Sequence, residues 1–236
     1  MITLADRFTL SRLVITPAIV VCYFVLPADP VWVFWVCGLL CGGAELTDLL
    51  DGKIARSRRE VSDFGKLADP FCDVIYRQTV FLLLLLPPGL AAGVAHQAFR
   101  VGEPANTALA PLVFLAGRDA GGQNIYVSGL VPFVPVLVMI VREIVAGALR
   151  SMAATKDLVL AARTSGKLKA WIQGVTIGGT FALPAFFAPF HGFGAWMLHA
   201  ATIATWVSAI ASAASMAEYL WVNRGVLRSL IQRRPL

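Results

Sequence analysis

The sequence predicts an all-α integral membrane protein with six transmembrane helices and a short N-terminal amphipathic helix in the membrane interface. Three observations favour this fold class. Of the 236 residues, 58% are hydrophobic and only 14% are charged, whereas a typical soluble protein carries about 25% charged residues. Apolar stretches of about 20 residues, the length that crosses a bilayer, recur along the chain. Proline- and glycine-containing breaks separate these stretches.

The N-terminal residues 2–12, ITLADRFTLSR, precede the first apolar stretch. Their apolar side chains are predicted to face lipid and their charged side chains water, which is typical of an interfacial helix. The apolar stretch after Arg12 ends without a clear small-residue cleavage site, so it is predicted to remain as the first span.

The six predicted spans together form one membrane domain, residues 1–236, with a single unusual connection. Residues 88–128 are too long for a simple turn and too often interrupted by glycine and proline for a span. They are predicted to form a long extracytoplasmic connection. The spans are predicted at residues 12–27, 31–51, 66–87, 129–151, 168–188 and 194–222.

The basic residues predict the orientation of the chain. All but two of the 20 lysines and arginines fall in or beside segments that the spans place on one side, the exceptions being Arg100 and Arg118. By the positive-inside rule this side faces the cytoplasm of the plasma membrane, together with both termini. The net charge of +6 then suits anionic lipid headgroups and phosphorylated substrates, and a nucleic-acid partner is not expected.

The stretch from Asp48 to Asp73 gathers acidic residues between two apolar runs. Asp48 and Asp51 are three residues apart and share a helix face, as do Asp69 and Asp73, which are four apart. The polar residues 57–64 allow a turn that makes the two helices antiparallel. The four carboxylates are therefore predicted to converge in one site.

Four neighbouring carboxylates cannot all ionise without a compensating cation. Oxygen ligands select hard divalent ions, so two Mg2+ or Mn2+ ions that hold a phosphoryl or diphosphate group are predicted. Gly52 and Ala55 let a ligand approach the backbone, and Arg56 offers planar donors to phosphate oxygens. The competing interpretation, a solvated acidic loop, does not explain Asp69 and Asp73, which enter an apolar helix.

The pattern D-x2-D-G-x2-A-R-x8-G-x3-D-x3-D resembles that of the CDP-alcohol phosphotransferase family at all eight motif positions. The resemblance implies a six-helix, homodimeric membrane enzyme that transfers a phosphoalcohol group from a CDP-linked donor to a hydroxyl and releases CMP. It also implies that two divalent metals bind between the aspartates and that Asp73 is the general base. The implied metal ligands are Asp48, Asp51, Asp69 and Asp73. The implied donor-binding residues are Asp48, Asp51, Gly52, Ala55, Arg56 and Gly65.

A second set of motifs is similar to the phosphatidylglycerophosphate synthase subfamily. These are VREI at 141–144, Leu149-Arg150, SGKLK at 165–169 with Gln173, TLSRLVITP at 9–17 and MAEYL at 216–220. This resemblance implies CDP-diacylglycerol, held among membrane lipids, as donor and glycerol 3-phosphate as acceptor. An acceptor that carries its own phosphate requires a basic subsite. The implied phosphate ligands are Arg142, Arg150, Lys167 and Lys169.

The sequence departs from that subfamily at two residues: Val74 stands where many members have lysine, and Cys72 where they have a small residue. The expected reaction joins glycerol 3-phosphate to the phosphatidyl group and yields phosphatidylglycerophosphate and CMP. One alternative is the same chemistry on inositol phosphate or serine. Others are a divalent-cation carrier or channel and an inactive scaffold.

Overall fold

The computed structural model of the chain describes residues 4–26, 30–58, 63–89, 100–101, 110–118, 121–154, 164–191 and 194–231. Within these ranges the description omits some side chains, chiefly those of residues 4–9, 48–58, 63–67 and 69. In the described part the chain is mostly helical, and a small antiparallel sheet stands between the third and fourth helices.

Seven helices and three strands make up the described residues. The helices are α1 (Leu4–Val25), α2 (Pro30–Arg58), α3 (Asp63–Leu83), α4 (Phe133–Ala154), α5 (Thr164–His191), α6 (Ala195–Val222) and α7 (Arg224–Ile231). The strands are β1 (Arg100–Val101), β2 (Pro111–Arg118) and β3 (Asn124–Pro132). The central strand is β3, which pairs antiparallel with β1 and β2.

The sheet qualifies one prediction and corrects another. The predicted all-α fold class holds in that the described chain is mostly helical, but strands occupy part of the 88–128 connection. The predicted fourth span begins too early, because residues 129–132 belong to β3 and the helix begins at Phe133. Strand β3 is rich in β-branched and aromatic residues. Residues 119–123, Asp-Ala-Gly-Gly-Gln, separate it from β2, and a short glycine-containing connection is a hairpin signal.

Two of the described helices are long and apolar enough to cross a membrane, over Ser165–His191 and Ala195–Val222. Shorter apolar helical segments lie at Leu10–Val25 and Val31–Thr47. Helix α1 runs without a break from Leu4 to Val25, so a separate short helix before the first apolar stretch is not seen among the described residues. The six-span arrangement remains a prediction.

The core forms where α1, α2 and α5 meet. The Phe181 ring of α5 contacts Tyr23 of α1 and Phe34 of α2, each with ring centroids 6.3 Å apart. All three side chains are fully buried. Gly38 allows this close approach, because a Cβ there would lie 3.3 Å from the Cβ of Phe181. Buried aromatic side chains of this size contribute strongly to stability.

The sheet is attached to the end of α3 through its backbone. The amides of Leu130 and Val131 donate to the carbonyl of Leu84 at 2.9 and 3.2 Å. Tyr23 donates its hydroxyl to the carbonyl of Leu86 at 2.8 Å, which ties α1 to the same place. These bonds satisfy carbonyls that the end of a helix leaves without partners.

Helices α2 and α3 lie side by side and are separated in sequence by only residues 59–62. The Tyr76 hydroxyl of α3 donates to the Cys41 carbonyl of α2 at 3.2 Å. Arg77 of α3 pairs with Glu45 of α2 at 3.2 Å. So short a connection in sequence favours an antiparallel pair, and the antiparallel arrangement stays a prediction.

Candidate active site

The acidic motif lies at the adjoining ends of α2 and α3. Asp48 and Asp51 are ten and seven residues before the end of α2 at Arg58. Asp69 and Asp73 are six and ten residues after the start of α3 at Asp63. In antiparallel helices that rise about 1.5 Å per residue, these positions fall at similar distances from the connection between the helices.

Most side chains of the motif lie outside the described part of the structure. This applies to Asp48, Asp51, Gly52, Ala55, Arg56, Gly65 and Asp69. The convergence of four carboxylates and the donor-binding roles therefore stay predictions. Among the described residues, no group of three or more acidic, histidine or cysteine side chains could hold a metal ion. Of the four predicted metal ligands, only Asp73 has a described side chain.

The Asp73 carboxylate is partly exposed and lies beside two buried arginines. Its Oδ1 is 2.8 Å from Nε of Arg77, one helical turn further along α3. The same oxygen is 3.9 Å from a terminal nitrogen of Arg12 on α1. The carboxylate therefore has one cationic neighbour on its own helix and another on α1.

A cavity of about 360 Å³ opens beside Asp73, and α3, α4, α5 and α6 form its walls. Its lining contains Asp73 together with all four basic residues that the sequence predicted for the acceptor phosphate. These residues come from sequence positions as far apart as 73 and 169. The four basic lining residues are Arg142, Arg150, Lys167 and Lys169.

Two of these cations share a buried anion. Glu143, whose side chain is only 5% exposed, accepts a hydrogen bond from Arg142 at 3.0 Å and another from Lys169. Arg142 also donates to the Ser215 hydroxyl of α6 at 3.1 Å. Because buried charges are stable only when they are paired, Glu143 holds both cations in the cavity wall.

The other two cations, Arg150 and Lys167, are exposed. Arg150 donates through Nε to the carbonyl of Ala146, one turn earlier on its own helix, at 3.2 Å. The hydroxyl oxygens of Ser165 and Tyr219 are buried in the same wall and have no hydrogen-bond partner within the described residues. A polar ligand in the cavity could satisfy them, and unsatisfied buried hydroxyls are costly.

A second recess of about 480 Å³ adjoins the cavity between α3 and α4. It shares Pro70, Val74, Glu143 and Arg150 with the first cavity and adds apolar or small residues such as Phe71 and Ala154. Phe71 is 62% exposed. The cavity therefore continues into an open recess between α3 and α4.

Four charged residues of the site were not predicted from the sequence, namely Arg12, Glu45, Arg77 and Glu143. A partial signal exists for Arg77, because it follows Asp73 by four residues and so shares its helix face. Glu143 lies next to Arg142 in sequence, but its pairing with Lys169 depends on how α4 and α5 meet. Glu45 precedes Asp48 by one helical turn, and that spacing indicates a common face.

Comparison with known proteins gives consistent results. A family model described as CDP-alcohol phosphatidyltransferase matches residues 2–213. A Haemophilus influenzae protein named CDP-diacylglycerol–glycerol-3-phosphate 3-phosphatidyltransferase is 25% identical over 227 residues, which are 95% of each chain. An Arabidopsis thaliana protein named CDP-diacylglycerol–glycerol-3-phosphate 3-phosphatidyltransferase 2 is 34% identical over 90 residues, 38% of this chain and 37% of that protein.

Proposed function

Because the chain belongs to the CDP-alcohol phosphatidyltransferase family and is a transferase, we propose that it makes phosphatidylglycerophosphate from CDP-diacylglycerol and glycerol 3-phosphate. One observation carries the choice of acceptor. A single cavity is lined by Asp73 and by four basic residues, which suits a hydroxyl compound that carries its own phosphate. The names of the Haemophilus and Arabidopsis relatives agree with this choice.

In the proposed reaction the acceptor hydroxyl attacks the β-phosphorus of the donor, which bears the diacylglycerol. A new P–O bond forms to the acceptor, and the bond from that phosphorus to the bridging oxygen breaks. CMP leaves with that oxygen, and Asp73 takes the hydroxyl proton. A carboxylate in the cavity wall is a suitable base, because proton transfer requires contact within about 3 Å.

Two divalent ions, Mg2+ or Mn2+, fit the donor chemistry of the acidic motif. Asp73 is described at the wall of the cavity, and Asp48, Asp51 and Asp69 lie on the adjoining turns of α2 and α3. Carboxylate oxygens are the preferred ligands of these ions. When bound, the ions would neutralise the diphosphate and make the phosphorus more electrophilic. Gly52, Ala55, Arg56 and Gly65 would hold the cytidine and phosphate of the donor.

The basic residues divide into two groups by their surroundings. Arg150 and Lys167 are exposed and would meet the acceptor phosphate first. Arg142 and Lys169 lie deeper, paired with Glu143. The lining carries four positive and two negative side chains, Asp73 and Glu143. The resulting excess of two positive charges matches a phosphate dianion.

The adjoining recess is where we expect the lipid part of the donor to enter the site. The acyl chains of CDP-diacylglycerol would remain in the bilayer, and the open recess at Phe71 adjoins the cavity that Asp73 lines. The protein is a membrane protein, which we propose to be a homodimer in the plasma membrane with its active site at the cytoplasmic face. Cross-linking of the membrane-embedded protein tests the dimer, and a monomer alone would contradict it.

An acceptor panel tests the proposed function. Purified protein in lipid vesicles is given CDP-diacylglycerol, Mg2+ and one of three acceptors: glycerol 3-phosphate, inositol phosphate or serine. We expect CMP release with glycerol 3-phosphate and little with the others. If only inositol phosphate or serine supports turnover, glycerol 3-phosphate is not the acceptor and the proposed function is wrong. Metal flux into vesicles without CMP release would favour the alternative of a carrier or channel.

A further inference from the structure

Arg77 is a buried arginine at the centre of a partly buried charged network that joins three helices. Its side chain is only 6% exposed. The guanidinium contacts Asp73 on its own helix through Nε at 2.8 Å and Glu45 on α2 through a terminal nitrogen at 3.2 Å. The other terminal nitrogen donates to the Ala170 carbonyl of α5. One planar group thus contacts oxygen atoms on three helices, through hydrogen bonds to Glu45 and Ala170 and an ion pair with Asp73, and these contacts restrict its orientation.

Helix α5 is shaped to admit the Glu45 carboxylate. A Cβ at Gly174 would lie 3.2 Å from one Glu45 oxygen and 3.3 Å from the carboxylate carbon. Glycine at this position therefore lets the carboxylate lie against the helix backbone. A buried ion pair gains little net stability over an apolar pair of similar size, and charged groups within membrane segments usually serve a function.

The described part of the network has two charges of each sign. Two carboxylates, Glu45 and Asp73, face two guanidiniums, Arg12 and Arg77. Arg77 makes the shorter contact with Asp73, 2.8 Å against 3.9 Å for Arg12. Asp73 lines the cavity, whereas Arg77 is not among its lining residues in the described part of the chain. Within the described cavity, Arg77 therefore acts on a bound substrate through Asp73.

We propose that Arg77, held by Glu45, is a positioning residue that fixes the Asp73 carboxylate towards the acceptor hydroxyl. This inference rests on the proposed function, in which Asp73 is the base. An untethered aspartate can rotate about two side-chain torsions, and a displacement of about 1 Å at a reacting group can cost about 100-fold in rate. With Arg77 in place, one carboxylate oxygen is anchored to α3 and the orientation of the other is restricted.

The variant Glu45→Met/Arg77→Met separates positioning from folding. It replaces the buried pair with apolar side chains of similar length, a change that buried ion pairs often tolerate without loss of stability. We expect the thermal unfolding temperature and the KM for glycerol 3-phosphate to stay close to wild type. The kcat should fall by about 10- to 100-fold, because the base is no longer held.

The variant Arg77→Lys, with Glu45 intact, tests whether the planar arrangement of the guanidinium nitrogens is required. Lysine keeps the charge but is a point donor that cannot hold three acceptors in one plane. We expect a kcat between those of wild type and the double variant, with KM unchanged. If the double variant does not fold, this variant decides alone: an intermediate kcat supports the proposal, and a wild-type kcat overturns it.

A matched control removes another buried polar bridge between helices. Thr176 of α5 and Ser208 of α6 are hydrogen-bonded at 2.8 Å and are not part of the site. Thr176→Val/Ser208→Ala should keep the wild-type kcat. A double variant at Glu45 and Arg77 with wild-type kcat, or with a changed KM and constant kcat, would overturn the proposal. A wild-type protein that releases no CMP with glycerol 3-phosphate would instead contradict the proposed function.

Discussion

Asp73 is the residue on which the proposed chemistry depends most. Asp73→Asn keeps the size of the side chain but removes its ability to accept a proton. We expect kcat for CMP release to fall by about 100- to 10,000-fold, the usual contribution of a general base. Binding of the acceptor should change little, because the cations of the cavity remain. Steady-state kinetics with glycerol 3-phosphate measures both. Activity near wild type would remove Asp73 as the base.

Lys167 is one of the two exposed cations in the cavity wall that we expect to contact the acceptor phosphate directly. Lys167→Ala should raise the KM for glycerol 3-phosphate by about 10- to 100-fold, the value of one charge-assisted hydrogen bond. The kcat should change less, since Asp73 and its arginines stay in place. Arg118→Ala provides the control, because Arg118 is an exposed arginine of β2 outside the site. Equal KM values for the two variants would contradict a phosphate subsite.

The sequence predicted several residues that line the cavity, but not the charged residues that form ion pairs with them. Asp73, Arg142, Arg150, Lys167 and Lys169 all follow from motifs, and the structure brings them together in one cavity. Glu45, Arg77 and Glu143 were not predicted. Their ion pairs depend on which helix faces meet, and a single sequence does not contain that information. The side chains of Asp48, Asp51 and Asp69 lie outside the described residues, so the metal site stays a prediction.

Strand β3 and the end of α3 fit together through one glycine. A Cβ at Gly129 would lie 2.1 Å from the Leu85 carbonyl oxygen and 2.7 Å from its carbon. Gly129→Ala should therefore push the sheet away from α3 and weaken the bonds from β3 to Leu84. We expect a loss of about 1–3 kcal/mol, as for other overpacked sites. Thermal unfolding of the protein in detergent measures this loss.

Gly178→Ala is the matched control for Gly129. Gly178 lies within α5, and a Cβ there would meet nothing within 4 Å. Alanine is also the better helix former by about 1 kcal/mol, so this variant should unfold at or above the wild-type temperature. If the two alanine variants unfold at the same temperature, the close packing of β3 on α3 is not important for stability.

The helices were predictable and the sheet was not. Long apolar runs between proline-containing breaks predicted the helical segments, and α5 and α6 are long and apolar enough to cross a membrane. The strand segments are as apolar as the helices but show no helical period, and for this reason the sequence predicts an irregular connection there. The glycine-containing residues 119–123, between two largely apolar runs, are a hairpin signal in the sequence. Only the contact of β3 with Leu84 explains why the sheet packs against this helix end.

The whole chain is expected to have one orientation in the membrane. The positive-inside rule places the C-terminal basic residues in the cytoplasm and Arg118 outside. Arg118→Cys and Arg228→Cys, both at exposed positions, test this with a membrane-impermeant maleimide on intact cells. We expect Arg118→Cys to be labelled from outside and Arg228→Cys only after the membrane is opened. The reverse pattern would invert the proposed topology.

The fate of the acceptor oxygen provides the most direct measurement of the proposed reaction. Glycerol 3-phosphate carrying 18O in its attacking hydroxyl is incubated with the purified protein, Mg2+ and CDP-diacylglycerol, and the products are analysed by mass spectrometry. If the hydroxyl attacks the β-phosphorus, phosphatidylglycerophosphate retains the label in its new phosphodiester and CMP forms in equal amount without label. Label in CMP, or the absence of both products, would contradict the proposed reaction.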